Sequence, residues 1–84
     1  MTERQQRTID FLNWLTSKGD RLTIQGPKHE LHWNNQPDGQ LKVQASAKIW
    51  LESQGQDATA AEVFTLAGDS YGVVLQQGSY PAWA

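Results

Sequence analysis

The chain has 84 residues, 38% of them hydrophobic and 19% charged, with a formal net charge of −2. That length holds one core, so residues 1–84 are expected to form a single domain. The absence of cysteine excludes disulfides, thiolate metal sites and thiol catalysis. No apolar run approaches the ~20 residues of a membrane span, and no signal-peptide core follows Met1, so the expected setting is cytoplasmic.

Charge is unevenly placed. Residues 1–48 carry all seven Lys and Arg against five acids, a balance of +2. Residues 49–84 carry Glu52, Asp57, Glu62 and Asp69 with no base, a balance of −4. Affinity for DNA rests on neutralising phosphates, so an acidic chain without a basic stripe disfavours nucleic acid as a partner. Those acids are also too sparse to imitate a duplex that shows one charge per ~1.7 Å. The asymmetry reads as a solvated face able to orient a partner.

Thr2 to Lys18 predicts an amphipathic helix. Thr2 is placed to cap it, Ile9, Leu12 and Leu15 recur at helical spacing, and Phe11 and Trp14 widen the stripe. Lys18 sits in the last turn and Gly19 suits the left-handed position beyond it. Arg21–Gln25 and His29–Trp33 then alternate around Gly26-Pro27, which predicts a β-hairpin. Residues 34–39, Asn-Asn-Gln-Pro-Asp-Gly, form a loop by composition.

Leu41 to Glu52 alternates in strict period two, with Leu41, Val43, Ala45, Ala47, Ile49 and Leu51 apolar. This predicts a strand with one buried face, against a helix favoured by residue propensity alone. After residues 53–56, two readings of the next segment stand. Asp57 caps a short helix with Ala60, Val63, Phe64 and Ala67 on one face, or Glu62–Leu66 is a strand. Residues 68–72, Gly-Asp-Ser-Tyr-Gly, are expected as a turn, and Tyr71–Gln76 as the closing strand. Residues 79–84 form a tail whose order depends on whether Trp83 docks. The implied fold is α+β: an N-terminal amphipathic helix on an antiparallel sheet of four to five short strands, with a second short helix as the variant.

Leu15, Gly19, Leu22, Ile24 and Gly26, followed by Leu31 and Trp33, resemble the opening of the β-hairpin docking domains of nonribosomal peptide synthetases of the tubulysin type. The resemblance covers about the first 33 residues. It implies helix, hairpin, then helix, and a role in pairing synthetase subunits. The alternation over 41–51 departs from the helix those domains place there.

Catalytic sets are weak. His29 and His32 lack the i, i+4 spacing of the zincin helix, and zinc needs a further ligand, so no metal or cofactor is expected. Ser70 in Gly-Asp-Ser has no general base assured to it beyond these two histidines, so no enzyme is expected. Phosphate-binding glycine loops are absent from the sequence.

The tryptophans carry more information. Trp14 and Trp33 have ordinary core explanations. On a strand, Trp50 falls on the polar face with Lys42 and Lys48, where an indole is either presented to a partner or covered by a later segment. The reading is a small non-enzymatic protein-binding or regulatory module, of the kind a phage carries as an accessory protein or an inhibitor of a host system. Its expected contact residues are Trp50, Lys42 and Lys48, then Trp83, Tyr80 and Trp33. A single-stranded nucleic-acid binder, stacking bases on such aromatics, is one alternative. A synthetase docking domain is another. Homodimerisation through an open sheet edge is a further expectation.

Overall fold

The first helix starts where its cap is satisfied twice. Thr2 Oγ1 accepts from the Gln5 N–H at 3.1 Å, and Gln5 Oε1 accepts from the Thr2 N–H at 2.8 Å, a reciprocal capping box. In the computed structural model, which describes residues 2–78, helix α1 spans Glu3–Ser17 and buries Thr8, Phe11, Leu12 and Leu15. It stops at Lys18, beyond which Gly19 takes φ +79°, the left-handed conformation that closes a helix end.

Strands β1 (Leu22–Gln25) and β2 (Glu30–Trp33) form the expected antiparallel hairpin, with Leu22 opposite Trp33 and Ile24 opposite Leu31. Leu22, Leu31 and Trp33 share its buried face. The chain then folds back on β2. Asn34 and Asn35 both have positive φ (48° and 67°), and Trp33 and Gln36 exchange two backbone hydrogen bonds at 3.2 and 2.8 Å. Two left-handed central residues are the signature of a type I′ turn, and Asn tolerates that region better than most residues.

The second half corrects the sequence reading. Residues 41–52 are not a strand: helix α2 spans Gly39–Ser53 and buries Val43, Ala47, Trp50 and Leu51. A period-two apolar run contains two sets of i, i+4 neighbours, so it also satisfies a helix. Trp50 decides between them. It breaks the alternation, yet lies three residues after Ala47 and seven after Val43, on the face those two define.

Residues 68–76 are likewise neither turn nor strand. Helix α3 runs from Ala60 to Gln77 through Gly68 and Gly72, burying Val63, Leu66, Ser70 and Val74 at i, i+3, i+7 and i+11. Its cap is Thr59, whose Oγ1 accepts from the Glu62 N–H at 3.2 Å, in place of the expected Asp57. The expected sheet of four to five strands therefore reduces to two, and the class remains α+β with three helices.

Helix α3 is the element around which the others assemble. Both α1 and α2 pack on it, β1 lies against it, and β2 lies against α2. The expected helix-on-sheet layer gives way to helix-on-helix packing, with the hairpin at one side. One core results, joining Phe11, Leu12 and Leu15 of α1, Leu22, Leu31 and Trp33 of the hairpin, Val43, Ala47, Trp50 and Leu51 of α2, and Val63, Leu66 and Val74 of α3. At the joint between hairpin and α2, Gly39 is required by closeness. A Cβ there would lie 2.6 Å from the Leu31 carbonyl oxygen and 2.8 Å from His32 Cα. Among the described residues no helix is long and apolar enough to cross a membrane.

Candidate protein-docking surface

The structure separates the residues that the sequence reading grouped. Trp50 is only 6% exposed, and its ring centroid lies 5.6 Å from that of Phe11. Helical geometry turns it inward, so its expected place on a wet sheet face is corrected: the indole is core and not surface. Trp33 is also core, at 8%. Trp14 stacks on Phe11 at 6.1 Å, with the Lys18 ammonium 4.0 Å over its ring, a cation–π contact that covers the indole's outer face. Tyr80 and Trp83 lie outside the described residues. Lys42 and Lys48 are exposed on α2.

What α2 presents to solvent is an apolar ridge. Leu41 is 69% exposed and Ile49 57%, with exposed Ala45 between them. Residues four apart stand one above another on a helix, so these three form a continuous line. At about 100° per residue, Lys42 falls on one flank and Lys48 on the other, while Glu52 extends the line toward the C-terminal end. A strand over 41–52 would have Leu41, Ala45 and Ile49 inward with Val43 and Ala47. The signal that separates the sets was present: only 43 and 47 share a helical face with Trp50 and Leu51.

A second apolar opening lies between α2 and α3. It encloses about 280 Å³ and is lined by Leu31, Val43, Gln44, Phe64, Ala67 and Tyr71 among others. Phe64 at its rim is 59% exposed.

Four other charged side chains hold α1 to α3. Arg4 grips Asp69 with two hydrogen bonds, Nε to Oδ2 at 2.6 Å and Nη2 to Oδ1 at 2.8 Å, and Arg7 Nη1 meets Glu62 Oε2 at 2.9 Å. Both pairs join α1 to α3. The hydrogen bond to Asp69, and then its charge, raise the Arg4 pKa above the ordinary guanidinium value. Each pair keeps one member in water, Arg4 in the first and Glu62 in the second, so screening limits what it adds to stability and its main effect is to orient the helices.

Groups with the functional atoms for chemistry are spent on the fold or lack partners. Ser70 is fully buried and its Oγ donates to the Leu66 carbonyl at 2.8 Å. His32 Nε2 stands 3.8 Å from Glu30 Oε2. Thr23 and His32 face each other across the hairpin, with Thr23 Oγ1 and His32 Nδ1 both buried and unpartnered. Among the described residues no three His, Asp or Glu side chains come together in an arrangement that could hold a metal. The hairpin edges are short. Gln36 occupies part of the β2 edge, and Gly39 approaches the Leu31 carbonyl beside it. On β1, the Asn34 N–H to Arg21 carbonyl bond (2.8 Å) fixes the alternation so that Leu22 and Ile24 point their backbone groups outward. Leu22 is wholly buried, which leaves Ile24 as the strand's accessible pairing residue. No protein-family model, curated protein or solved structure matches the chain.

Proposed function

We propose that this chain is a small non-enzymatic module that binds another protein through the outward face of α2. The observation that carries this reading is the Leu41–Ala45–Ile49 ridge, exposed on a well-formed helix and flanked by Lys42 and Lys48. Large side chains left in water at i, i+4, i+8 spacing form the anchor line by which one helix seats in a groove. The flanking lysines select a partner whose groove is apolar at its floor and acidic at its rim. Burial of Ser70, whose hydroxyl is bonded to its own helix at the Leu66 carbonyl, supports a role without catalysis. Such a module acts by occupying a surface, as an accessory or inhibitory factor in the cytoplasm does.

The test is affinity capture from the source cell with the wild type and with Leu41→Asp/Ile49→Asp. Losing each anchor costs about 2 kcal/mol or more of binding, so the double variant retains its helical circular dichroism and loses the captured protein. Lys42→Glu/Lys48→Glu weakens capture and reduces its salt dependence. Equal capture by wild type and ridge variant overturns the reading. Retention on oligonucleotide that falls steeply with salt would favour the single-stranded nucleic-acid reading instead.

A second reading gains from one observation. With residues 39–53 helical, the chain runs helix, hairpin, helix, the order implied by its resemblance to synthetase docking domains. In that reading the captured protein is the terminal segment of a synthetase subunit.

A further inference from the structure

Helix α3 contains a feature that neither its own stability nor the ridge on α2 explains. Gly68 and Gly72 sit in the middle of an 18-residue helix, where glycine destabilises relative to alanine. Neither has a positive φ, and a Cβ at either would meet nothing within 4 Å among the described residues. The packing of the described residues therefore gives no reason for them. Around them lies an apolar line: Ala61, Phe64, Gly68, Tyr71 and Leu75 follow one another at spacings of three, four, three and four. Phe64 is 59% and Leu75 41% exposed, Ala61 and Gly68 are exposed, and Tyr71 is half-buried. That spacing is the seam of a coiled coil.

We propose that this face of α3 is a self-complementary seam through which two copies of the chain pair antiparallel. Antiparallel seams pair an a position with a d position of the other helix. A two-fold axis between residues 69 and 70 then sets Phe64 of each copy against Leu75 of the other, and Tyr71 of each against Gly68 of the other. These layers match large to small or apolar to apolar, Ala61 falls opposite the C-cap Gly78 at the end of the seam, and the same patch serves both copies, as an isologous interface requires. The absent Cβ at Gly68 lets the helices approach closely enough for the Tyr71 ring to lie over backbone, and Gly72 clears space beside it. Charge points to the same occupant. The two charged residues of α3, Glu62 and Asp69, belong to its α1-facing side, paired with Arg7 at 2.9 Å and Arg4 at 2.6 Å. The seam residues themselves are uncharged, so a copy meets no like charge along them, and the Arg4–Asp69 pair that borders Gly68 and Gly72 is already neutralised within the chain. Antiparallel helices also place opposite dipole ends together.

The seam and the α2 ridge are different surfaces, and one experiment series separates them. In sedimentation across a dilution series, the wild type rises from 9.4 kDa toward twice that mass, and Phe64→Asp stays monomeric with unchanged circular dichroism. Gly68→Leu also stays monomeric, whereas the α2 variant Leu41→Asp/Ile49→Asp still dimerises. Geometry is read by oxidation, since the chain has no cysteine of its own. Phe64→Cys mixed with Leu75→Cys gives a disulfide-linked dimer, and Phe64→Cys alone gives none. If Phe64→Asp does not fold, Gly68→Leu and the cysteine pair carry the test. A wild type that remains monomeric at every concentration overturns the proposal. So does a Phe64→Cys homodisulfide, which would mean parallel pairing, or loss of the dimer in the α2 variant, which would move the contact to the ridge.

Discussion

Single residues show how far a side chain's role depends on the element that carries it. Trp50 beside Lys48 looks like a presented indole on a strand, but on a helix the same residue packs on Phe11 at 5.6 Å. Truncating it leaves a cavity that surrounding side chains fill only in part, at a cost of about 3–5 kcal/mol. Trp50→Ala should therefore lower the urea midpoint sharply, in the absence of any partner. A midpoint within experimental scatter of the wild type would mean that the indole is not in the core. Ser70 gives the same lesson: its neighbours in sequence resemble a nucleophile block, yet its hydroxyl closes onto its own helix at 2.8 Å.

At the scale of elements, legibility followed redundancy of signal. The first helix announced itself by cap, stripe and terminal glycine together, and the hairpin by two alternating runs around Gly26-Pro27. Each of these has only one local solution. Residues 41–52 had two, because alternate apolar residues also fall four apart, and α2 has no side-chain bond at its Asp38 cap to mark a start. Helix α3 was obscured by its glycines, which with Asp69 and Ser70 read as a turn although the helix passes through them. Its true start is Thr59, two residues beyond the expected Asp57. Thr59→Ala removes the acceptor for the Glu62 N–H and should cost about 1 kcal/mol, read as a lowered urea midpoint, while Asp57→Ala should leave it unchanged. The reverse pattern would restore Asp57 as the cap.

The whole molecule depends on where the hairpin meets α2. Composition marked residues 34–39 as a loop, but nothing in one sequence reveals that Gly39 packs so close to β2 that a Cβ there would lie 2.6 Å from the Leu31 carbonyl oxygen. Such a close approach is a property of the packed chain. Gly39→Ala gains helix propensity, yet its methyl group meets backbone that must move, a strain on the order of 1–3 kcal/mol. The variant should melt lower than the wild type, with faster hydrogen exchange at the β2 amides. A higher melting temperature would place α2 further from β2. The candidate site was missed for a related reason. Leu41 and Ile49 have core-like chemistry, and only the helical arrangement of α2, with Val43, Ala47, Trp50 and Leu51 inward, turns them out.

The central claim is that this outward line of α2 is the working surface. Site-specific photocrosslinking in the source cell tests it most directly, with a benzoylphenylalanine placed at Leu41, at Ile49 and, as an exposed control, at Gln25 on the hairpin. The account predicts that the two α2 positions capture the same protein and that position 25 does not. Capture from position 25 with none from 41 or 49 would contradict it.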